Sequence, residues 1–219
     1  MTASALVFDL DGTLVDSRKD LLAAMSWLLG SLGYPIPKDE VIISHVGHGV
    51  RQFVKSCLPK STGEDEARLE SALELFKTRY GANLAEETVP YPGIREVLEA
   101  LSKRGEAAWV LTNKPGYMAR DICSALGLGD FLGGVLGAGD VPANKPDPSG
   151  LLEVCSRLDV FPSSVWYVGD MAVDVETSRR AGCKSALVTW GYGGEGLLRE
   201  GSADRVLRRP EDLLSLGSS

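Results

Sequence analysis

Ala5-Leu6-Val7-Phe8-Asp9-Leu10-Asp11-Gly12-Thr13-Leu14 is the stretch from which the fold of this chain is read. Its first four residues are apolar with no polar alternation, the pattern of a strand buried on both faces of a parallel sheet. Two aspartates follow, two positions apart, and on an extended chain that spacing places both carboxylates on one side. Gly12 permits a sharp turn, and Thr13 adds a hydroxyl. Anions this close repel unless a cation or proton intervenes. The segment therefore suits a metal site in which one carboxylate attacks and the other moves a proton. Taken alone it equally suits a surface turn after a buried strand.

Working outward, four more apolar segments alternate with helical stripes: Ala107 to Thr112, Gly134 to Ala138, Val165 to Val168 and Ser185 to Thr189. Asp204 to Leu207 reads as a short edge segment, and the last residues as a fraying tail. Strand and helix in alternation predict an α/β fold with a doubly wound parallel sheet. Between the first and second strands, residues 16–87 carry helical stripes (Leu21, Met25, Leu28; Phe53, Val54, Cys57; Leu69, Leu73, Phe76, Tyr80) and little strand signal. We expect an α/β core of residues 1–15 and 88–219 with an all-helical cap of residues 16–87 inserted after the first strand. Packing of these helices directly on the main sheet is the alternative. Pro90-Tyr91-Pro92-Gly93 punctuates the return.

Polar groups gather at the strand ends: Asp9 and Asp11, Thr112, Lys145 just beyond the third main strand, and Asp170 with Asp174. Asp174 lies one helical turn beyond Asp170. Asp170 also suits the role of cap for a helix beginning near Ala172, and Lys145 that of a solvated loop residue. Open α/β sheets bind ligands at the carboxyl ends of strands where strand order reverses. If the fourth main strand pairs with the first, Asp9, Asp11 and Asp170 meet there. Such a cluster of hard oxygens suits Mg²⁺ and phosphoryl transfer through an aspartyl-phosphate. Val46-Gly47-His48-Gly49 lies between helical stripes, where a bend could bring amides and His48 to a ligand; a helix-to-helix turn with an exposed histidine fits as well.

The bulk properties narrow the class. The chain has 219 residues, 44% of them hydrophobic, and a net charge of −7. No basic stripe offers itself to nucleic acid. Four dispersed cysteines argue for buried thiols rather than zinc or disulfides. With no apolar span for a membrane and no secretory signal, a cytoplasmic location is expected, as a monomer or homodimer.

Asp9-Leu10-Asp11-Gly12-Thr13-Leu14-Val15-Asp16-Ser17, Leu111-Thr112-Asn113-Lys114-Pro115, Lys145-Pro146-Asp147-Pro148 and Val168-Gly169-Asp170 with Asp174 together resemble the haloacid dehalogenase superfamily of phosphatases, above all its phosphoglycolate phosphatase group. The likeness spans nearly the whole chain. It implies a small phosphorylated metabolite as substrate, foremost 2-phosphoglycolate, with Asp9 as nucleophile and Asp11 as general acid and base. It implies Mg²⁺ held by Asp9, Asp170 and the backbone carbonyl of Asp11, with Asp174 in support. Thr112, Asn113 and Lys145 would bind the phosphoryl group, and Gly47, His48 and Gly49 would lie near the substrate. The group usually has asparagine at the place of His48 and a small hydroxyl residue at that of Met171. Gly191-Tyr192-Gly193 recurs in the group too. A pyrophosphatase, a sugar-phosphate phosphatase or a phosphomutase of the same fold are the rivals. A dehalogenase needs no acid at Asp11, a phosphonate hydrolase would need Lys19 or Lys55 as a cap lysine, and a non-catalytic phosphate-binding protein would need none of the reactive groups.

Overall fold

The computed structural model describes residues 5–193 and 203–217. Its centre is the strand β1 (Ala5–Phe8). Period two is visible in what each side chain meets. Leu6 and Phe8 join a cluster with the helices α6 (Ile94–Lys103) and α7 (Gly116–Ala125), while Ala5 and Val7 join one with α8 (Ser149–Leu158). β4 (Ala107–Pro115) divides in the same way, Ala108 and Val110 against Trp109 and Leu111. Helices on both faces explain why these strands are apolar throughout.

The remaining strands are β5 (Gly134–Ala138), β6 (Val165–Gly169), β7 (Lys184–Val188) and β8 (Arg205–Leu207). They form a six-stranded sheet in the order β5-β4-β1-β6-β7-β8, every pair parallel. The chain builds outward from β1 through β4 to β5, then crosses to β6 on the other side of β1. The reversal of strand order falls at β1, which opens a crevice at the carboxyl ends of β4, β1 and β6.

The insert leaves through β2 (Val15–Asp16) and returns through β3 (Val89–Pro90), which pair antiparallel as a two-stranded ribbon. Between them run α1 (Arg18–Ser31), α2 (Asp39–Ile43), α3 (Val50–Cys57), α4 (Lys60–Gly63) and α5 (Glu66–Gly81). These helices enclose an apolar cluster of their own, built on Met25, Leu28, Val54, Leu69 and Phe76; among the described residues, Met118 of α7 is its one buried member from outside the insert. Asp20 anchors the return, accepting from the Thr88 hydroxyl at 2.6 Å and the Thr88 N–H at 2.9 Å.

The C-terminal stretch departs from the expected fraying tail. Pro210–Ser215 forms a 3-10 turn that lays Leu213 and Leu216, both buried, against the α6 side of the sheet. Burial of apolar side chains of this size stabilises by roughly 1.5–3 kcal/mol each, enough to hold a short terminal segment. Gly194, at the end of the glycine-rich Gly191-Tyr192-Gly193 stretch, lies outside the described residues. No helix among the described residues is long and apolar enough to cross a membrane.

Candidate active site

The loop after β1 shapes the site. The Asp9 N–H extends the sheet by donating to the Val168 carbonyl at 2.8 Å, and the chain then folds back on itself. The Leu10 carbonyl accepts from the N–H groups of Thr13, Leu14 and Val15 at 3.0 to 3.2 Å. Gly12 sits at φ +84°, and a Cβ there would fall 2.4 Å from Oδ2 of Asp170. Both the conformation and the close approach require glycine. Asp9 and Asp11 line one cavity, though by way of this turn; the strand ends at Phe8, so strand periodicity is not what aligns them.

Each of the two aspartates has its own lysine. Lys145 Nζ lies 3.0 Å from Asp9 Oδ1 and 2.7 Å from Asp174 Oδ1, with both ion pairs almost fully buried. The Lys145 ammonium also sits 5.4 Å from the ring centre of Tyr167, whose hydroxyl donates to the Leu111 carbonyl. Lys114 Nζ contacts both oxygens of Asp11 at 3.0 Å and donates to the Tyr80 hydroxyl of α5 at 2.7 Å. Ser17 Oγ donates to Asp11 at 2.5 Å and lies 3.0 Å from the Tyr192 hydroxyl, which also accepts from the Ser17 N–H. Lys145 is buried, not the solvated loop residue that its surroundings in sequence allowed.

Asp170, at the end of β6, accepts from the N–H of Tyr192 at 2.6 Å and from the Thr13 hydroxyl at 3.3 Å. It does not cap α9 (Ala172–Ala181); Met171 holds that position, and its N–H donates to Asp174 Oδ2 at 3.0 Å. Thus both oxygens of Asp174 are engaged, one by Lys145 and one by the helix start. Ligand atoms of Asp9, Asp170 and Asp174 lie within 4.8 Å of one another.

The electrostatics of the site favour a further positive charge. Burial, against the pull of Lys145, raises the Asp9 carboxyl from 3.8 to about 6; Asp174 and Asp11 push the same way, while the Thr112 hydroxyl opposes. Burial, then Asp174 and Asp9, raise Asp170 to about 7. For Lys145 burial acts to lower the pKa, but Asp174 and Asp9 outweigh it and hold the ammonium well above its usual range. Lys114 is likewise raised, its burial outweighed by Asp11 and Tyr80. Four carboxylates facing two ammonium groups leave an excess of two negative charges. One divalent cation would balance that excess, and the all-oxygen donor set suits a hard ion such as Mg²⁺.

Thr112 lies in β4 and lines the same cavity as Asp9; its hydroxyl accepts from the Lys114 N–H at 3.3 Å and acts to lower the pKa of the Asp9 carboxyl. The Asn113 side chain is engaged by the protein itself. Its amide nitrogen donates to the carbonyls of Gly47 at 2.9 Å and Lys145 at 3.1 Å, and its oxygen accepts from the Lys145 N–H at 2.8 Å. It ties the Lys145 loop to the insert, so a phosphoryl contact by this side chain would have to break that tie. Gly47 and Gly49 line the cavity, with φ +103° and +88°; His48 between them is exposed and is not among the residues that line it. A Cβ at Gly47 would lie 2.4 Å from the Met171 sulfur, which locates the unusual Met171 against the insert. Lys19 pairs with Glu87 on the surface and Lys55 is exposed, so neither offers a cavity lysine.

Lys114, Tyr80, Ser17, Tyr167 and Tyr192 had no assigned role in the sequence. Lys114 and Ser17 lie in the same motifs as Thr112 and Asp11, but nothing local to either marks it as a partner of Asp11.

The sequence profile of haloacid dehalogenase-like hydrolases matches residues 6–188. The chain belongs to that family. It is 32% identical to a phosphoglycolate phosphatase of Haemophilus influenzae over 214 residues, covering 95% of this chain and 96% of the relative. A phosphoglycolate phosphatase of Pseudomonas syringae pv. syringae is 37% identical over 190 residues, 85% of this chain and 70% of the relative. Among solved structures, a predicted phosphoglycolate phosphatase from Haemophilus somnus 129PT superposes with a TM-score of 0.90 at 27% identity, covering 99% of this chain and 98% of that one.

Proposed function

We propose that this hydrolase is a Mg²⁺-dependent phosphatase of a small phosphomonoester, with 2-phosphoglycolate the first candidate, working through an aspartyl-phosphate. The observation that carries it is the position of Asp9: buried at the reversal point of the sheet, 3.0 Å from Lys145, and opening onto a cavity closed by the helical insert. The names of the relatives support the choice of substrate.

In this scheme an Asp9 oxygen attacks phosphorus, and the ester oxygen leaves with a proton from Asp11. The Ser17 hydroxyl and Lys114 hold the Asp11 carboxylate toward the cavity. Asp11 then takes a proton from water, which opens the acyl phosphate and frees Asp9. Lys145 and the Thr112 hydroxyl offset the charge around Asp9, and Asp174 fixes the Lys145 ammonium. Asp9 and Asp170, with Asp174 beside them, would hold the Mg²⁺, which when bound would screen the carboxylates and polarise the phosphoryl oxygens. The insert, residues 16–87, acts as a cap over the site, its apolar wall excluding water from the acyl phosphate.

The test is phosphate release with Mg²⁺ and with chelator, on a panel of phosphomonoesters headed by 2-phosphoglycolate, for the wild type and Asp9→Asn. Metal-dependent turnover lost in the variant is expected. Equal turnover by Asp9→Asn would remove the aspartyl-phosphate, and phosphate release only in the presence of a sugar acceptor would favour a mutase.

A further inference from the structure

Lys114 is a buried cation to which phosphoryl chemistry at Asp9 assigns no contact with the substrate. Among the described residues lining the cavity it is the one cation. The insert contributes an otherwise apolar wall of Leu21, Val46, Val50, Phe53 and Phe76, apart from the Tyr80 hydroxyl. Tyr80 stacks on Phe76 with ring centres 5.6 Å apart, so its hydroxyl is held in place beside the ammonium.

We propose that Lys114 and the Tyr80 hydroxyl form a receptor for a carboxylate carried on the leaving alcohol of the substrate. The proposal rests on the phosphatase reading above and adds a determinant of specificity to it. The geometry follows from connectivity. The ester oxygen must reach Asp11 to be protonated, and Lys114 Nζ touches both oxygens of Asp11. A carboxylate one carbon beyond that oxygen therefore arrives at the same ammonium. A lysine offers three donors on a flexible stem, and here two directions go to Asp11 and one to Tyr80. Asp11 keeps the Ser17 hydroxyl at 2.5 Å when the ammonium turns toward a ligand. Tyr80 accepts from Lys114 and retains its own proton to donate; burial, more than any neighbour, keeps that phenol neutral, with its pKa raised to about 12. A neutral alcohol offers the ammonium no anion and meets the apolar wall instead. Because Tyr80 belongs to α5, the receptor is complete only with the insert seated on the sheet.

The experiment compares kcat/KM for 2-phosphoglycolate and for ethyl phosphate, an ester of the same carbon length without the carboxylate, both with Mg²⁺. The wild type is expected to prefer the carboxylate ester by about 100-fold. Lys114→Gln should reduce that preference to within about 10-fold, chiefly by raising KM for 2-phosphoglycolate, and Lys114→Arg should restore part of it. Tyr80→Phe keeps every charge in place and should give an intermediate preference, which keeps the test decisive if Lys114→Gln folds poorly. Comparable wild-type kcat/KM for the two esters would overturn the receptor while leaving the phosphatase intact. An equal loss on both esters in Lys114→Gln, with the preference unchanged, would reduce Lys114 to a support for Asp11 and also overturn it. Turnover of neither ester by the wild type would overturn the phosphatase reading, and the receptor with it.

Discussion

Lys145→Met is the substitution that most directly tests the charge arrangement around Asp9. Methionine roughly preserves the length of the side chain and removes the ammonium that lies 3.0 Å from Asp9 and 2.7 Å from Asp174. At an effective dielectric near 20, a unit charge pair 3 Å apart is worth about 5 kcal/mol, and desolvation of the lysine offsets much of this. Removing one partner of a buried pair leaves the other charge uncompensated, at a net loss of about 3–5 kcal/mol. Lys145 has its pKa raised above the unfolded value of about 10.4, so its own contribution is complete below that pH. Any pH dependence between 5 and 8 therefore comes from the carboxylates. Without the ammonium they are forced further toward the protonated form, so the loss grows as pH rises. Urea unfolding in chelator should show a loss of about 3–5 kcal/mol at pH 8 and a clearly smaller one at pH 5. A loss below about 1 kcal/mol at pH 8, with an unchanged m value, would refute the claim that Lys145 balances a buried anionic cluster.

Other perturbations have equally definite outcomes. Asp9 and Asp170 are raised from 3.8 to about 6 and about 7, so the folded chain binds protons more readily than the unfolded one, and metal-free stability falls as pH rises through this window. Saturating Mg²⁺ should accordingly raise the melting temperature more at pH 7.5 than at pH 5, and a shift independent of pH would contradict this. Gly12→Ala forces a Cβ against Asp170 at a positive φ, a strain of about 1–2 kcal/mol before any displacement of the carboxylate. Its Mg²⁺-dependent phosphate release should drop at least about 10-fold, as steady-state assays would show. Leu213→Ala removes a fully buried side chain from the C-terminal turn; denaturant titration should report a loss of about 2–4 kcal/mol, where a frayed tail would give none.

The middle of the sheet was legible in the sequence because β1, β4, β6 and β7 each carry an apolar run followed by a polar residue (Asp9, Thr112, Asp170 and Thr189), and the parallel order follows from alternation with helices. The meeting of Asp9, Asp11 and Asp170 then depended on one pairing, β1 with β6, which the structure contains. Features that depend on side chains from distant elements were not legible. Lys114 joins β4 to Asp11 and to α5, and nothing local to Thr112-Asn113-Lys114 shows which of the three faces the aspartate. Asn113 has the composition of a ligand-binding residue, yet its amide is engaged with the backbone on either side of the cavity. His48 has the chemistry of a ligand-binding residue, yet it is the flanking Gly47 and Gly49, at positive φ, that line the cavity, and His48 itself is exposed. The β2–β3 ribbon is only two residues per strand, too short for any periodicity to register.

That ribbon changes the folding problem. β1 and β4 pair in the central sheet although the whole insert separates them in sequence, and closing so long a loop is entropically unfavourable and slow. Pairing of Val15 with Pro90 and Asp16 with Val89 brings the two ends of the insert together. Once these ends are joined, the chain between β1 and β4 that remains to be closed is little more than α6 and its flanking turns. The insert then adds mass to the molecule without adding its full length to the contact order of the sheet, and the core can assemble much as an uninterrupted β-α-β unit would.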